Sequence, residues 1–210
     1  MKIDFVSDIA CPWCAIGLAS LETALARLGN EVPVELHFQP FELNPEMPPE
    51  GKDVVEYLGQ KYGISPEQVH RNHEAIRQRG ADVGFRFDMD KRTRTYNTFD
   101  AHRLLHWAGL EGRQLPLKRA LFAANFTQGE NPADPEVLAR LAAQAGLDPE
   151  RARQVLASGE YADEVRERER FYTERGIHSV PSVIIDDKHL IQGGQPPEAF
   201  ERALRQIAQE

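Results

Sequence analysis

The sequence is poor in cysteine, contains no long apolar run and carries no excess of positive charge. Only two of its 210 residues are cysteine, which excludes the multiple-disulfide framework that staples many small secreted domains. No apolar run approaches the roughly 20 residues that a membrane-spanning helix requires, so we expect no membrane partner. Acidic residues outnumber basic residues by 33 to 25, giving a formal charge of −8. Because phosphate binding needs a basic surface, we expect no nucleic-acid partner.

The start of the sequence gives an expectation about the compartment. Residues 1–8, MKIDFVSD, place an acidic residue among apolar ones. They lack the long apolar stretch and the small-residue cleavage site of a secretory signal peptide. We therefore expect a cytoplasmic protein, although a processed periplasmic form would look the same apart from the initiator methionine. In the cytoplasm the two thiols would be held reduced.

One local cluster of basic residues occurs at 91–94, where the sequence reads KRTR. Short charge runs of this kind usually form a solvated face and only rarely a site for a polyanion. We therefore interpret the cluster as a solvated face of the protein.

The beginning of the chain shows the pattern of a β-α-β unit. Residues 2–7 read as a short strand, and Trp13–Leu28 places leucines on one stripe of a helix that Gly29 would end. Alternating apolar and polar residues over 34–39 then predict a second strand. A helical crossover of this kind makes the two strands parallel neighbours.

The middle of the chain, residues 44–176, begins as a loop rich in proline and glutamate and then reads as helical. Three segments combine an N-cap residue, a proline at the first helical position and an acidic residue, which is the pattern of a helix start. Five glycines stand where helices would end, and residues 81–97 are poorly periodic and predict a long connection. The predicted helix starts are Ser65-Pro66-Glu67, Asp134-Pro135-Glu136 and Asp148-Pro149-Glu150, and the predicted C-cap glycines are Gly63, Gly80, Gly109, Gly146 and Gly176.

The end of the chain returns to strands. Ser182–Ile185 and His189–Gln192 read as two short strands, and a helix follows from about Pro197 to Ala208. A β-α-β start and a β-β-α end, separated by helices, describe one α/β domain with an insertion. The predicted α/β domain comprises residues 1–43 and 177–210, and the predicted all-helical insertion comprises residues 44–176.

The two cysteines lie three residues apart at the junction of the first strand and the first helix. A thiol at a helix N-terminus faces unpaired backbone N–H groups and the positive end of the helix dipole, which favour the thiolate. We therefore predict that Cys11 is the attacking thiolate, and Pro12 suits the first turn of the helix. Cys14, one turn further along, is predicted to be more buried and to resolve the mixed disulfide by attacking Cys11.

Two other roles for the cysteines carry less weight. A Cys-x-x-Cys pair can be half of a zinc site, but the remaining ligands would all have to be His, Asp or Glu. The helical pairs His102/His106 and His70/His73 do not form a His-Glu-x-x-His motif, so we expect no metal. Two buried structural thiols without chemistry are the other alternative, since free cysteine often packs as a small apolar residue.

An ordered set of short segments runs through essentially the whole chain. The set consists of Phe5–Cys14 with its Cys-Pro-Trp-Cys motif, Tyr96–Thr98, Ala101–Leu104, Gly176–Val183 and Gln192–Gln195. In this order the segments resemble the thioredoxin superfamily, and more closely the DsbA-like oxidoreductases of the branch known as FrnE-like proteins. The resemblance implies a thioredoxin-like fold for the α/β domain, interrupted by the helical insertion.

The resemblance also implies a substrate-binding surface. In that superfamily the proline that corresponds to Pro181 follows a cis peptide bond and lies against the thiol pair. The residue before it, Val180, would offer its backbone N–H and C=O groups to an extended substrate. Pro12 and Trp13 complete the expected site. Trp13 either forms an exposed platform beside Cys11 or packs against the insertion.

The implied function is that of a thiol–disulfide oxidoreductase acting on a thiol- or disulfide-containing protein or small molecule. No cofactor is implied beyond the Cys11–Cys14 pair, with glutathione left open as a co-substrate, and the protein would act as a monomer or homodimer. One departure concerns strength as an oxidant. The DsbA pattern has a histidine between its cysteines, whereas this chain has Pro12-Trp13, so strongly oxidising behaviour is not implied.

Two other functions stay open. Kappa-class glutathione transferases and 2-hydroxychromene-2-carboxylate isomerases resemble this chain in architecture, and they use a serine and glutathione. A glutathione-dependent isomerase or transferase is therefore one alternative function. A non-catalytic thioredoxin-like adaptor is the other, although an adaptor has little reason to place two cysteines at a reactive helix end. Loss of activity on replacing Cys11 separates enzyme from adaptor, and glutathione dependence separates the two enzymes.

Three further residues are secondary candidates. We expect Asp8 to cap the first helix, with proton transfer to or from Cys14 as the alternative. His102 and Arg103 either border the thiol cleft or pack inside the insertion.

Overall fold

A four-stranded mixed sheet lies at the centre of the computed structural model, which describes all residues Met1–Glu210. The strand order is β2-β1-β5-β6, with β1 parallel to β2 and antiparallel to β5. The β-α-β start and the β-β-α end of the chain therefore meet in one sheet, which confirms the predicted thioredoxin-like fold. The strands are β1 (Lys2–Ser7), β2 (Glu35–Pro40), β3 (Lys52–Asp53), β4 (Arg94–Thr95), β5 (Ser182–Ile185) and β6 (His189–Gln192).

Helices cover both faces of the sheet and fill the region between β2 and β5. None of them has the length and apolar character needed to cross a membrane. A single π-helical turn, Ala124–Gln128, continues from the fifth helix. The α-helices are α1 (Pro12–Leu28), α2 (Val54–Tyr62), α3 (Pro66–Asp82), α4 (Phe99–Leu110), α5 (Gln114–Ala123), α6 (Pro135–Gln144), α7 (Pro149–Ala157), α8 (Ala162–Glu174) and α9 (Pro197–Ile207).

Alternation along β1 explains how the sheet is covered. Ile3 and Phe5 point to one face and belong to the same buried cluster as Leu21 of α1 and Phe200 of α9. Val6 points to the other face and lies in a buried cluster with residues of α8 and the segment that follows it. Both faces of β1 are therefore buried, which fits its nearly continuous apolar sequence.

The helices between β2 and β5 form a core of their own, with buried residues of α4, α5, α6 and α7 in one cluster. Ile9, from the loop that precedes the first cysteine, also belongs to this cluster. The loop is thereby packed against the inserted helices. The predicted division into residues 1–43 with 177–210 and residues 44–176 stays a prediction.

The three helix starts that the sequence predicted are confirmed. Ser65, Asp134 and Asp148 each accept a hydrogen bond from a backbone N–H in the first turn of their helix, and each is followed by proline. Gln68 completes a capping box with Ser65. These side chains satisfy backbone donors that would otherwise be unpaired at the helix ends.

Two of the predicted C-cap glycines are wrong. Gly80 lies inside α3 and Gly109 lies inside α4, one residue before that helix ends. A Cβ at Gly80 would stand 2.4 Å from the ring of Phe87, so this glycine allows a close approach of a side chain to the helix. At Gly109 a Cβ would meet the side chain of Gln114 at 3.2 Å.

The predicted long connection at 81–97 also needs correction. It contains β4, which pairs with β3 as a separate two-stranded ribbon. Two residues are too few to show the alternation by which strands are recognised in a sequence. The insertion is therefore predominantly helical but not all-helical.

Candidate active site

Cys11 occupies the N-cap position of α1, with an extended backbone at φ −93° and ψ 112°. No side chain caps this helix, and Pro12 is its first residue. The Cys11 side chain is 5% exposed and Cys14 is fully buried, which confirms the predicted order of burial, and both are free thiols. Pro12 has no backbone N–H and the N–H of Cys14 donates to the Cys11 carbonyl, so negative charge on Cys11 is favoured mainly by the positive end of the helix dipole.

The peptide bond between Val180 and Pro181 is cis, as the resemblance predicted. The Sγ atom of Cys11 lies 3.7 Å from the carbonyl oxygen of Val180. Pro181 also packs closely against α1, because a Cβ built on Gly17 would stand 3.0 Å from Pro181 Cγ. Glycine at position 17 therefore leaves the space that this proline occupies beside the thiol pair.

Trp13 retains 39% of its surface exposed, more than most large apolar side chains of the protein. Its backbone oxygen and ring edge lie against Gly194, where a Cβ would stand 3.1 Å from Trp13 O and 3.4 Å from Trp13 Cε3. The residue therefore packs on the loop after β6, and the rest of its ring faces solvent and the cavity described below. Its role in substrate binding stays a prediction.

Asp8 is a buried carboxylate at the end of β1. Its Oδ1 accepts a hydrogen bond of 2.7 Å from Thr98 Oγ1, and its Oδ2 accepts one of 2.7 Å from the backbone N–H of Leu43. His102 Nε2 lies 3.4 Å from Oδ1. Burial alone would raise the pKa of Asp8, but the interactions with His102, Leu43 and Thr98 outweigh it and hold this pKa below its ordinary value.

The expected capping role of Asp8 is wrong. The N-cap of α1 is Cys11, and the one local bond of the Asp8 carboxylate comes from the N–H of Ala10, outside the helix. The carboxylate instead turns toward the inserted helices, because those helices carry the donors that a buried charge requires.

The two secondary candidates of α4, His102 and Arg103, have different surroundings in the structure. His102 faces the site through Asp8 and the carbonyl of Phe41, which its Nε2 approaches to 3.0 Å. Arg103 donates to backbone carbonyls at 155, 158 and 160 and therefore belongs to the packing of the insertion. No group of three or more His, Cys, Asp and Glu side chains is placed to hold a metal ion.

The insertion holds the loop before Cys11 through backbone carbonyls. Asn125, in the π-helical turn, donates a 2.9 Å hydrogen bond to the carbonyl of Ile9. Arg92 Nη2 donates a 3.3 Å bond to the carbonyl of Ala10. The loop that leads into Cys11 is thus held from outside the sheet, by side chains that are distant in sequence.

Sequence reasoning missed Arg92 and misjudged the cluster that contains it. Arg92 is 6% exposed and lies with its guanidinium carbon 4.9 Å from the centre of the Phe126 ring. Burial lowers the pKa of Arg92 to about 10, while the charges of Cys11 and Asp8 act in the opposite direction. The residue therefore carries its positive charge at neutral pH, and the interpretation of this cluster as a solvated face is wrong for Arg92.

Lys118 is the second missed cation. It is fully buried in α5, its Nζ has no hydrogen-bond partner, and it lies 4.9 Å from the centre of the Phe122 ring. Burial lowers the pKa of Lys118 to about 8, against the charges of Cys14, Asp8 and Cys11, which favour the cation. The sequence did contain an indication that Lys118 is buried, because this residue lies on the same helical stripe as the apolar residues at 121 and 122.

The buried thiol of Cys14 is held in its neutral form. Burial raises the pKa of Cys14, and the neighbouring Cys11 raises it further. A backbone hydrogen bond from Asp8 and the charge of Lys118 act in the opposite direction. Cys14 is therefore a buried thiol whose ionisation is opposed by its surroundings.

A cavity of about 920 Å³ opens beside Cys11, bounded by the start of α1, the cis-proline loop, the loop after β2 and the helices α2 and α3. Seventeen of its 29 lining residues are hydrophobic, so the walls favour an apolar ligand body. Prominent apolar wall residues are Met47, Val54, Tyr57, Val69, Ile76 and Met89.

Comparison with known proteins agrees with this geometry. The sequence model for the DsbA-like thioredoxin domain matches residues 2–205. The chain belongs to the DsbA-like thioredoxin family. Membership supports thiol–disulfide oxidoreductase chemistry in general terms.

Individual relatives span almost the whole chain. The crystal structure of a probable DsbA oxidoreductase, SCO1869 from Streptomyces coelicolor, is 39% identical with a TM-score of 0.93, covering 100% of this chain and 91% of that one. The protein YwbO of Bacillus subtilis is 28% identical over 205 residues, 97% of this chain and 96% of its own. A 2-hydroxychromene-2-carboxylate isomerase structure is 16% identical with a TM-score of 0.75, covering 100% and 97% of the two chains, which shows the shared fold alone.

Proposed function

We propose that this protein is a thiol–disulfide oxidoreductase in which Cys11 attacks and Cys14 resolves. The observation that carries the proposal is the position of Cys11 at the uncapped start of α1, with its Sγ 3.7 Å from the Val180 carbonyl oxygen. An attacking thiolate needs this combination of local positive potential and access to a bound disulfide.

The proposed exchange proceeds in two balanced steps. The Cys11 thiolate attacks one sulfur of the substrate disulfide, forming a mixed disulfide and releasing the other sulfur as a thiolate. Cys14 then loses its proton and attacks the Cys11 sulfur, which forms the Cys11–Cys14 disulfide and releases the second substrate thiolate. Two electrons pass from the protein dithiol to the substrate. The charge of Lys118 and a backbone hydrogen bond from Asp8 favour this loss of the Cys14 proton.

Substrate binding is proposed to use the backbone of Val180 and the surfaces of Pro12, Trp13 and Pro181. The Val180 carbonyl lies beside the Cys11 thiol, where an extended peptide can add to the chain as a strand does. The proposed partners are thiol- or disulfide-containing proteins or small molecules. The redox pair itself is the proposed cofactor, with glutathione as an optional co-substrate, and the proposed location is the cytoplasm.

The proposal is tested by replacing each cysteine and measuring reduction of a model protein disulfide by the reduced protein. Cys11→Ser should abolish the reaction, because the attacking sulfur is lost. Cys14→Ser should still complete the first step and accumulate a mixed disulfide that dithiothreitol releases. Full activity of Cys11→Ser would contradict the proposal, and a wild-type protein that reduces no disulfide would favour the adaptor.

A glutathione-dependent isomerase or transferase is the second candidate. The cavity beside Cys11 favours it, because such enzymes need room for a small organic substrate next to the reactive residue. Isomerisation or conjugation that requires glutathione and persists in Cys14→Ser would favour this candidate. Disulfide exchange that proceeds without glutathione and needs both cysteines would favour the oxidoreductase.

A further inference from the structure

We propose that the cavity beside Cys11 binds small disulfides that have an apolar or aromatic body and a carboxylate, and that Arg92 binds this carboxylate. The inference rests on the proposed function and adds the substrate class to it. It is carried by a buried cation that forms no salt bridge, at a cavity with apolar walls, next to the proposed attacking thiol.

Arg92 has unused hydrogen-bonding capacity although it is almost fully buried. Of its guanidinium nitrogens only Nη2 makes a hydrogen bond, to the Ala10 carbonyl, and Nε is buried without a partner. The residue forms no salt bridge, although the face of the Phe126 ring and the charges of Cys11 and Asp8 favour its cation. Burying a cation in this way is costly unless an anion joins it. The planar guanidinium fork matches a carboxylate best.

His73 supplies a second unpaired group on the same cavity. Its Nε2 is buried and has no hydrogen-bond partner, and both His73 and Arg92 line the cavity. Burial lowers the pKa of His73, and the charge of Arg92 lowers it further. The ring is therefore neutral at pH 7, where one of its two nitrogens carries a hydrogen that can be donated to an oxygen.

The other charged groups of the cavity already have partners. Glu42 pairs with Arg166, and the Asp8 carboxylate accepts the bonds described above. Lys61 is exposed and donates to the carbonyl of Leu43 and to a tyrosine hydroxyl. Arg92 is therefore the buried positive charge that an incoming carboxylate meets on this cavity.

The place of Arg92 fixes where the rest of the ligand lies. Its bond to the carbonyl of Ala10 puts the guanidinium beside the residue that precedes Cys11. A carboxylate held there leaves the apolar body against the cavity walls and the disulfide within reach of the Cys11 sulfur. The volume, about 920 Å³, lies within the range of pockets for small molecules. An extended peptide would instead follow Val180 at the mouth of the site.

Such a substrate would react in the same two steps as the general exchange. The Cys11 thiolate displaces one aryl thiolate from the disulfide and forms a mixed disulfide with the other half. Cys14 loses its proton to solvent and displaces the second aryl thiolate. Two electrons leave the dithiol, and two carboxylated thiolates are the products.

The test compares a carboxylated aromatic disulfide, dithiobis(nitrobenzoate), with the neutral aromatic disulfide dithiodipyridine. Both release a chromophoric thiol, so the rate of reaction with the reduced protein is read directly by absorbance. Arg92→Gln should slow the reaction with dithiobis(nitrobenzoate) by about tenfold relative to its effect on dithiodipyridine, because only the former loses a charged hydrogen bond. Arg86→Gln, which removes an exposed arginine, is the matched control and should leave the ratio unchanged.

Equal slowing of both reagents by Arg92→Gln would overturn the inference, because Arg92 would then act on the thiol or the fold alone. The unmodified protein gives a second test that needs no variant. Binding of naphthoate should quench the tryptophan fluorescence of the protein, through Trp13 at the cavity, at concentrations about tenfold lower than binding of the neutral naphthamide, and equal affinities would contradict the inference. Failure of Cys11→Ser to alter either disulfide reaction would count against the proposed function instead.

Discussion

Replacing Lys118 by methionine is expected to raise the free energy of unfolding while slowing disulfide exchange. The lysine is fully buried and its ammonium group has no hydrogen-bond partner. Burial lowers its pKa from 10.5 to about 8, and each pKa unit corresponds to 1.36 kcal/mol, so the folded protein loses about 3 kcal/mol by keeping this group charged at pH 7. Methionine has a similar length and no charge, so most of this amount should be recovered.

The difference in free energy of unfolding between Lys118→Met and the wild-type protein should also depend on pH. Below pH 8 the lysine is charged in the folded and the unfolded protein, so its destabilising contribution is constant. Between about pH 8 and 10.5 only the unfolded chain keeps the proton, so the free energy of unfolding of the wild-type protein gains from this group as pH rises. The difference between Lys118→Met and wild type should therefore be largest at pH 7 and shrink toward pH 10.

Urea denaturation at several pH values measures this difference, with Lys188→Met as the control because Lys188 is exposed in a turn. Formation of the Cys11–Cys14 disulfide should slow, because the charge that favours ionisation of Cys14 is lost. A Lys118→Met protein that is less stable than wild type at pH 7 would refute the reasoning. So would a stability difference that does not change with pH.

Three further predictions follow from the site. The redox potential, measured in glutathione buffers by Trp13 fluorescence, should lie between about −150 and −250 mV, and a value near −120 mV would show that the buried cations of the insertion stabilise the thiolate as strongly as a DsbA histidine does. Asp8→Ala should lower the free energy of unfolding by about 3 kcal/mol near neutral pH, because it leaves buried donors unpaired. Since the pKa of Asp8 is lowered in the folded protein, its contribution should fade as pH falls below about 4, and urea titrations with no such trend would contradict this. Gly17→Val should slow exchange by displacing Pro181, whereas Gly159→Val, where nothing lies within 4 Å, should not, and equal rates for the two variants would count against the role of this packing.

The parts of the fold that could be predicted are those that depend on local sequence patterns. The alternation in β2, the leucine stripe of α1 and the proline-marked helix starts each depend on neighbouring residues, and the structure confirms them. The ribbon of β3 and β4 could not be predicted, because two residues per strand carry no periodicity. The predicted helix end at Gly80 is wrong because a glycine that allows close packing and a glycine that ends a helix look the same in sequence.

The candidate site was predictable only where it is continuous in sequence. Cys11 and Cys14 stand out because their spacing and the strand–helix junction are local, and Pro181 could be assigned only through the family resemblance. Arg92 and Lys118 reach the thiols from the insertion, about 80 and 100 residues further along the chain. Their importance lies in burial without a partner, which depends on tertiary packing and not on local pattern.

Limited alkylation of the reduced protein at mildly acidic pH tests whether Cys11 is the attacking thiolate. Iodoacetamide is added in small excess, and the modified cysteine is identified by mass spectrometry after proteolysis. Cys11 should be modified first, because it lies at the uncapped start of α1 while Cys14 is fully buried with a raised pKa. Modification of Cys14 first would show that the two cysteines have the opposite roles.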